Sequence, residues 1–112
     1  TFSRVLGYYV REQQTLTLMD ALRKMTLMPA KRLETTIPQM RKKGRITIGA
    51  DADITIFDPD LIIDRATFAE PARASDGIVH VLIDGEFVVQ ECQLLEDTRP
   101  GKAIRRAVDS KR

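Results

Sequence analysis

Two residues, Asp84-Gly85, do most to restrict the fold. They separate two runs, Ile78–Ile83 and Glu86–Gln90, that are rich in β-branched and apolar side chains. Asp-Gly suits a type I′ turn because both central positions of that turn need φ above zero. The spacing therefore predicts an antiparallel hairpin with Leu82 opposite Phe87 and Val81 opposite Val88. Ile78, His80 and Leu82 share one face of the first strand, and Val79, Val81 and Ile83 share the other. A strand that is apolar on both faces needs cover on both.

Upstream of the hairpin the apolar period is helical. Phe2, Val5, Leu6, Tyr9 and Val10 recur at three- and four-residue steps and form a stripe, with Arg4 and Arg11 off it. Gly7 interrupts that helix, at ~1 kcal/mol against alanine, and marks either a weak point or a close approach by another element. A second helix starts after Thr17, an N-cap residue, with Asp20 in its first turn and Leu18, Ala21, Leu22 and Met25 on one face. Pro29 fits the first turn of a short third helix, Pro29–Leu33. Beyond it lies a polar connection, Thr35 to Lys43. Ile46 and Ile48 then alternate with polar residues as a short strand, and Gly49–Asp53 forms a turn. Ile54–Phe57 is a better strand, closed by Asp58-Pro59, and Leu61–Ile63 is a further short one. Near the end, Lys102–Val108 is expected to add a short helix or strand, with Ala103, Ile104, Ala107 and Val108 inward.

A chain of 112 residues supports one modest core. No apolar run approaches the ~20 residues that span a bilayer, so no membrane partner is expected. The first residues lack a secretion-signal layout, which points to a cytoplasmic setting, and the chain opens on Thr1, as a trimmed or processed piece would. The net charge of +2 is unevenly spread. Residues 1–34 carry six basic and three acidic groups, and residues 59–100 carry three and nine. An acidic stretch between basic ends argues against nucleic acid, which a continuous basic face would meet.

Few residues are equipped for chemistry. The one histidine, His80, sits on an apolar strand without a histidine partner, so it reads as structural. Cys92 has no C-x-x-C companion and no activating base. Asp51 and Asp53 form a D-x-D pair with too few oxygen donors for a calcium loop; local side-chain bonds that shape the turn are the simpler role. The cluster Arg41–Arg45 lacks interleaved aromatics and reads as a solvated connection, as does the tail with Arg105, Arg106, Lys111 and Arg112. Gly44 and Gly49 are not followed by a phosphate-loop lysine. Composition and spacing give a small α+β piece with no catalytic site, no cofactor site and no metal site of its own.

Three stretches together resemble something more specific. Lys43 to Pro59, KGRITIGADADITIFDP, is similar to the KGxIxxGxDADxxxFDP segment of amidohydrolase-superfamily enzymes. Met25 to Leu33 looks like the MTxxPAxxL helix end that precedes it, and Gly77 to Glu91 resembles the GIxxVxVNGxxVV hairpin that follows. Thr1 to Leu6 and Arg65-Ala66-Thr67-Phe68 are closer to one branch, the N-acyl-D-amino-acid deacylases. The resemblance implies a C-terminal fragment. Residues 1–34 would be the last helices of a metal-dependent (β/α)-barrel, and residues 35–112 the C-terminal half of a small composite β-sandwich. It also implies hydrolysis of amide C–N bonds by the parent protein, through water activated by a divalent metal, zinc being the expected ion. The metal ligands and catalytic aspartate would lie upstream of Thr1. Phe2 and Arg4 would then be the residues nearest the substrate.

The partners implied are the rest of the parent chain and, for the isolated segment, a second copy of itself. A free-standing interaction module that pairs its exposed strands with a partner is the alternative. Two departures from the family pattern stand out. Asp84-Gly85 replaces Asn-Gly, which a type I′ turn accepts. Glu91-Cys92-Gln93 replaces a glycine after the last hairpin strand, so a left-handed turn there would be strained.

Overall fold

A computed structural model describes residues 1–106 as an α+β arrangement of N-terminal helices followed by an antiparallel sheet. Helix α1 (Phe2–Arg4) continues without a break into a π-helix, Val5–Glu12. Helices α2 (Leu18–Met25) and α3 (Leu27–Leu33) follow, then a 3-10 helix, Pro38–Lys42. Strands β1 (Ile54–Phe57), β2 (Ile78–Ile83), β3 (Glu86–Gln90) and β4 (Gln93–Leu94) form one sheet in chain order, every neighbour antiparallel.

The expected caps and turns are in place. Thr17 Oγ1 accepts from the Asp20 N–H at 3.2 Å and donates to the Asp20 carboxylate at 2.9 Å, closing the first turn of α2. Between α2 and α3 the backbone kinks at Thr26, whose hydroxyl donates to the Leu22 carbonyl at 2.7 Å. The third helix therefore starts two residues before Pro29. Asp84 and Gly85 have φ of 51° and 81°, as a type I′ turn requires.

Four expectations are corrected. Val81 pairs with Val89, not Val88, because the register slips between Val81 and Leu82. Val88 becomes the extra residue of a bulge, and its carbonyl accepts from the Leu95 N–H on the β4 side at 2.9 Å. Ile46 and Ile48 form no strand: no segment among the described residues offers them a ladder, and both side chains are almost wholly exposed. Leu61–Ile63 is a turn with a single bridge, Ile63 to Asp76, rather than a strand. Within Lys102–Arg106 there is neither helix nor strand. Ala107, Val108, Lys111 and Arg112 lie outside the described residues.

The core is small and joins helices to sheet. Leu6, Ala21 and Ile62 are buried at its centre, with Val5, Val10, Leu16, Leu18, Leu22, Met25, Phe57 and Ile78 packed around them. Ile62, only 2% exposed, is carried in by the turn after β1. There the Ile62 N–H donates to the Asp58 carbonyl at 2.9 Å, and Asp58 Oδ1 accepts from the Asp60 N–H at 2.8 Å. The π-helix can come this close because residue 7 is glycine. A Cβ there would lie 2.5 Å from the Ile62 carbonyl oxygen. The Ile62 carbonyl, turned toward the helix, accepts from Arg11 Nη1 at 2.7 Å, which satisfies a part-buried acceptor.

The DAD segment has a structural task that reaches beyond its own turn. The Asp84 N–H donates to Asp53 Oδ1 at 2.9 Å, and the Gly85 N–H donates to the Ala52 carbonyl at 3.0 Å. Asp53 thus caps a hairpin turn 31 residues away. Lys43 ties the same segment down through Asp53 and through Asp51 at 3.1 Å, and Lys102 pairs with Asp84. After β3, Glu91 and Cys92 have φ of 50° and 65°, so the chain adopts a left-handed turn there despite the strain that its non-glycine residues carry.

Two outcomes follow from this packing. Gly7→Ala should destabilise the protein by about 1–3 kcal/mol through overpacking against Ile62; an unchanged thermal midpoint would contradict the close approach. The hydrogen bond from Lys43 holds the Asp53 carboxyl below the ordinary aspartate range and, in return, raises Lys43. The depressed Asp53 contributes stability that is present above the ordinary carboxylate pKa and lost as pH falls through its folded value. The raised Lys43 contributes stability that is lost only in strong alkali, as pH rises through its folded value. Asp53→Asn should therefore cost up to about 1 kcal/mol at neutral pH, the partly solvated pair being screened. Denaturation as a function of pH should show the gap to the unsubstituted protein closing in acid; a gap that persists there contradicts the clamp.

Candidate functional site

The π-helix decides which side chains reach the solvent together. In place of the α-helical bond its amides bond back five residues, as the Gln13 N–H does to the Tyr8 carbonyl at 2.8 Å. Leu6 and Gly7 are thereby buried, while Arg4, Tyr8, Tyr9 and Glu12 line an open cavity of about 410 Å³ with Ile63 and Asp64 from the turn after β1. Tyr8 and Tyr9 pack edge to face at 5.1 Å. Arg4 also lines an adjoining hollow of about 540 Å³ with Ala66, Thr67, Phe68 and Pro71, where the Phe68 ring stands fully exposed.

Arg4 and Asp64, sixty residues apart, are the electrostatic centre of this face. Arg4 Nε donates to Asp64 Oδ2 at 3.1 Å, and Nη2 makes a longer contact of 3.5 Å to the Ala66 carbonyl. Asp64 is itself pinned, its Oδ1 accepting from the Ala66 N–H at 3.0 Å. That backbone donor, more than the Arg4 charge, holds the Asp64 carboxyl below the ordinary aspartate range. Asp64 is thus an ionised acceptor at neutral pH, not a proton donor. Glu12 leans on Arg11, at 3.9 Å. The arrangement suits binding: a guanidinium with two donors engaged and Nη1 unbonded among the described residues, beside two phenols. No histidine or cysteine lines either hollow.

The other residues singled out by the sequence are placed apart from this face. Phe2 lies two residues before Arg4, on a different side of the helix, 65% exposed and outside the lining of both hollows. His80 packs edge to face on Phe87 at 5.6 Å, and its Nδ1 accepts from the Glu91 N–H at 3.1 Å, so it is engaged in the sheet. Cys92 is exposed in the left-handed turn. Asp51 and Asp53 are held by Lys43, and no group of three or more potential metal ligands occurs among the described residues. The basic cluster is only in part a solvated connection: Lys43 serves the clamp, and Arg45 pairs with Glu34 at 2.7 Å. Arg105 and Arg106 are exposed.

Sequence reasoning missed Tyr8, Asp64 and the pairing with Arg4. An α-helical period puts Tyr9 on the buried stripe, and nothing local to Asp64 announces a partner sixty residues earlier.

Comparison with known proteins supplies the context for this face. A model of the amidohydrolase family matches residues 2–89. N-acyl-D-glutamate deacylase of Alcaligenes xylosoxydans xylosoxydans is 43% identical over 106 residues, covering 95% of this chain and 20% of that protein. D-aminoacylase of the same organism is 35% identical over 106 residues, covering 95% of this chain and 21% of its own length. A solved structure of N-acyl-D-glutamate deacylase from Bordetella bronchiseptica holds zinc and a phosphonate inhibitor that mimics the tetrahedral intermediate. It matches at a TM-score of 0.77 with 43% identity, covering 94% of this chain and 20% of that one. The chain spans about a fifth of the length of the curated relatives it matches.

Proposed function

The chain belongs to the amidohydrolase family, and we propose that it is the C-terminal segment of a metal-dependent enzyme that hydrolyses the amide C–N bond of N-acyl-D-amino acids. The observation that carries this reading is 43% identity to an N-acyl-D-glutamate deacylase across 95% of the chain, matched by a common backbone. Residues 1–34 are then the last helices of a (β/α)-barrel, and residues 35–112 the C-terminal half of a composite β-sandwich. Two features support that division of labour. The core has few fully buried apolar residues, and Ile46, Ile48, Ile56 and Phe68 stand exposed, as surfaces built to be covered do.

The metal, which would activate water for attack on the amide carbonyl, has no ligand cluster among the described residues. Its ligands belong to the remainder of the parent, and no step of bond cleavage is assigned to this chain. What this segment contributes is scaffold and substrate binding. Every N-acyl-D-amino acid carries an α-carboxylate, and Arg4 is the cation lining both hollows. Arg4 meets that carboxylate, with Phe2 nearby on the same helix. A guanidinium forks onto a carboxylate more specifically than an ammonium does. No observation on this chain favours a free-standing interaction module over a segment of a longer enzyme.

Two experiments test the reading. The full-length protein carrying this segment should hydrolyse N-acyl-D-amino acids, prefer them to the L-enantiomers, and lose activity to a chelator. Turnover of neither enantiomer, or equal turnover with chelator present, would contradict it. The 112-residue segment produced alone should be inactive and self-associate through its uncovered apolar faces. Light scattering that gives a well-behaved monomer at high concentration would count against those faces being built for cover.

A further inference from the structure

We infer that Asp64 is a positioning residue for substrate recognition, which fixes the Arg4 guanidinium for the substrate carboxylate without touching the substrate itself. The inference rests on the reading that Arg4 meets the α-carboxylate, and goes beyond it by naming what makes Arg4 selective. Arg4 is 55% exposed along its side chain while Asp64 is 13% exposed, so the carboxylate is the anchored member of the pair. Asp64 takes its fixed position from the backbone, through the Ala66 N–H at 3.0 Å. The same short segment offers the Ala66 carbonyl to Arg4 Nη2, so Nε and Nη2 are both aimed at residues 64–66. Nη1 makes no hydrogen bond with the described residues, and Arg4 borders the cavity with Tyr8 and Tyr9.

A free arginine side chain is rich in rotamers, and ordering it at the moment of binding weakens affinity. An arginine already held in the folded protein avoids most of that loss. The opposite effect is also physical, because the Asp64 charge opposes an incoming anion. Asp64 acts as a positioning residue only if the first effect exceeds the second, and steady-state kinetics distinguish them.

The test uses the full-length enzyme with an N-acyl-D-amino acid and with the matching N-acyl-D-amino acid amide, which lacks the carboxylate. Asp64→Asn should raise KM for the acid roughly 3- to 10-fold, as freeing one rotamer-rich side chain does, with kcat little changed. It should leave the kinetics of the amide as they were. Arg4→Met should raise KM for the acid further, and Arg4→Met combined with Asp64→Asn should do no more than Arg4→Met alone, since the two act as one unit. Should Asp64→Asn fail to fold, Asp64→Glu keeps the charge but moves the anchor by one methylene, and the same selective rise in KM for the acid is expected. An unchanged or lowered KM for the acid, or an equal penalty on acid and amide, overturns the role of Asp64. If Arg4→Met itself leaves KM for the acid unchanged, the fault lies in the reading of Arg4, and the two failures are told apart.

Discussion

Backbone lies against backbone where the π-helix meets the turn after β1, and the rest of the molecule is arranged around that approach. The Ile62 peptide occupies the space that a Cβ on Gly7 would need, and Gly77, at φ 80°, comes equally close from the sheet side. Side chains larger than hydrogen at either position would push helix and sheet apart. With the two in contact, Ile62 drops between Leu6 and Ala21, and its carbonyl finds Arg11. Without that contact the helices and the sheet would have little else to share, since few other side chains are fully buried.

The same approach builds the candidate site. Once Ile62 is seated, the next two residues, Ile63 and Asp64, must emerge beside the exposed side of the first helix. There Asp64 meets Arg4. The face that carries Arg4 and Asp64 is therefore a consequence of core packing rather than a separate motif. It brings together a held cation, two phenols and the Glu12 carboxylate. The one histidine and the one cysteine of the 112 residues lie elsewhere, in or beside the sheet.

What could be read from the sequence was local. The Asp84-Gly85 turn, the Thr17 cap and the Ile54–Phe57 strand each depend on neighbours within a few residues, and each appears, whereas the helix break expected at Pro29 falls at Thr26. Gly7 could be recognised as a point of close approach, though not what approaches it. The misses depend on distance or on register. The Val88 bulge goes with a bond from the Leu95 N–H, on the far side of β3 from β2. The π-helix moves Tyr9 out of the stripe that an α-helical period assigns it. Asp53, expected to shape its own turn, caps another one 31 residues on. Ile46 and Ile48 carry a strand's alternation but find no neighbouring strand among the described residues.

If the segment belongs to a longer enzyme, as proposed, the exposed Ile46 and Ile48 are covered by the rest of it. Amide hydrogen exchange measures it most directly, by comparing residues 46–57 in the full-length protein with the same residues in the isolated segment, at a concentration where the segment is monomeric or its self-association is known. Amides around Ile46 and Ile48, open in the isolated chain, should become strongly protected in the full-length protein as they enter a strand ladder. Equal, rapid exchange in both would contradict it.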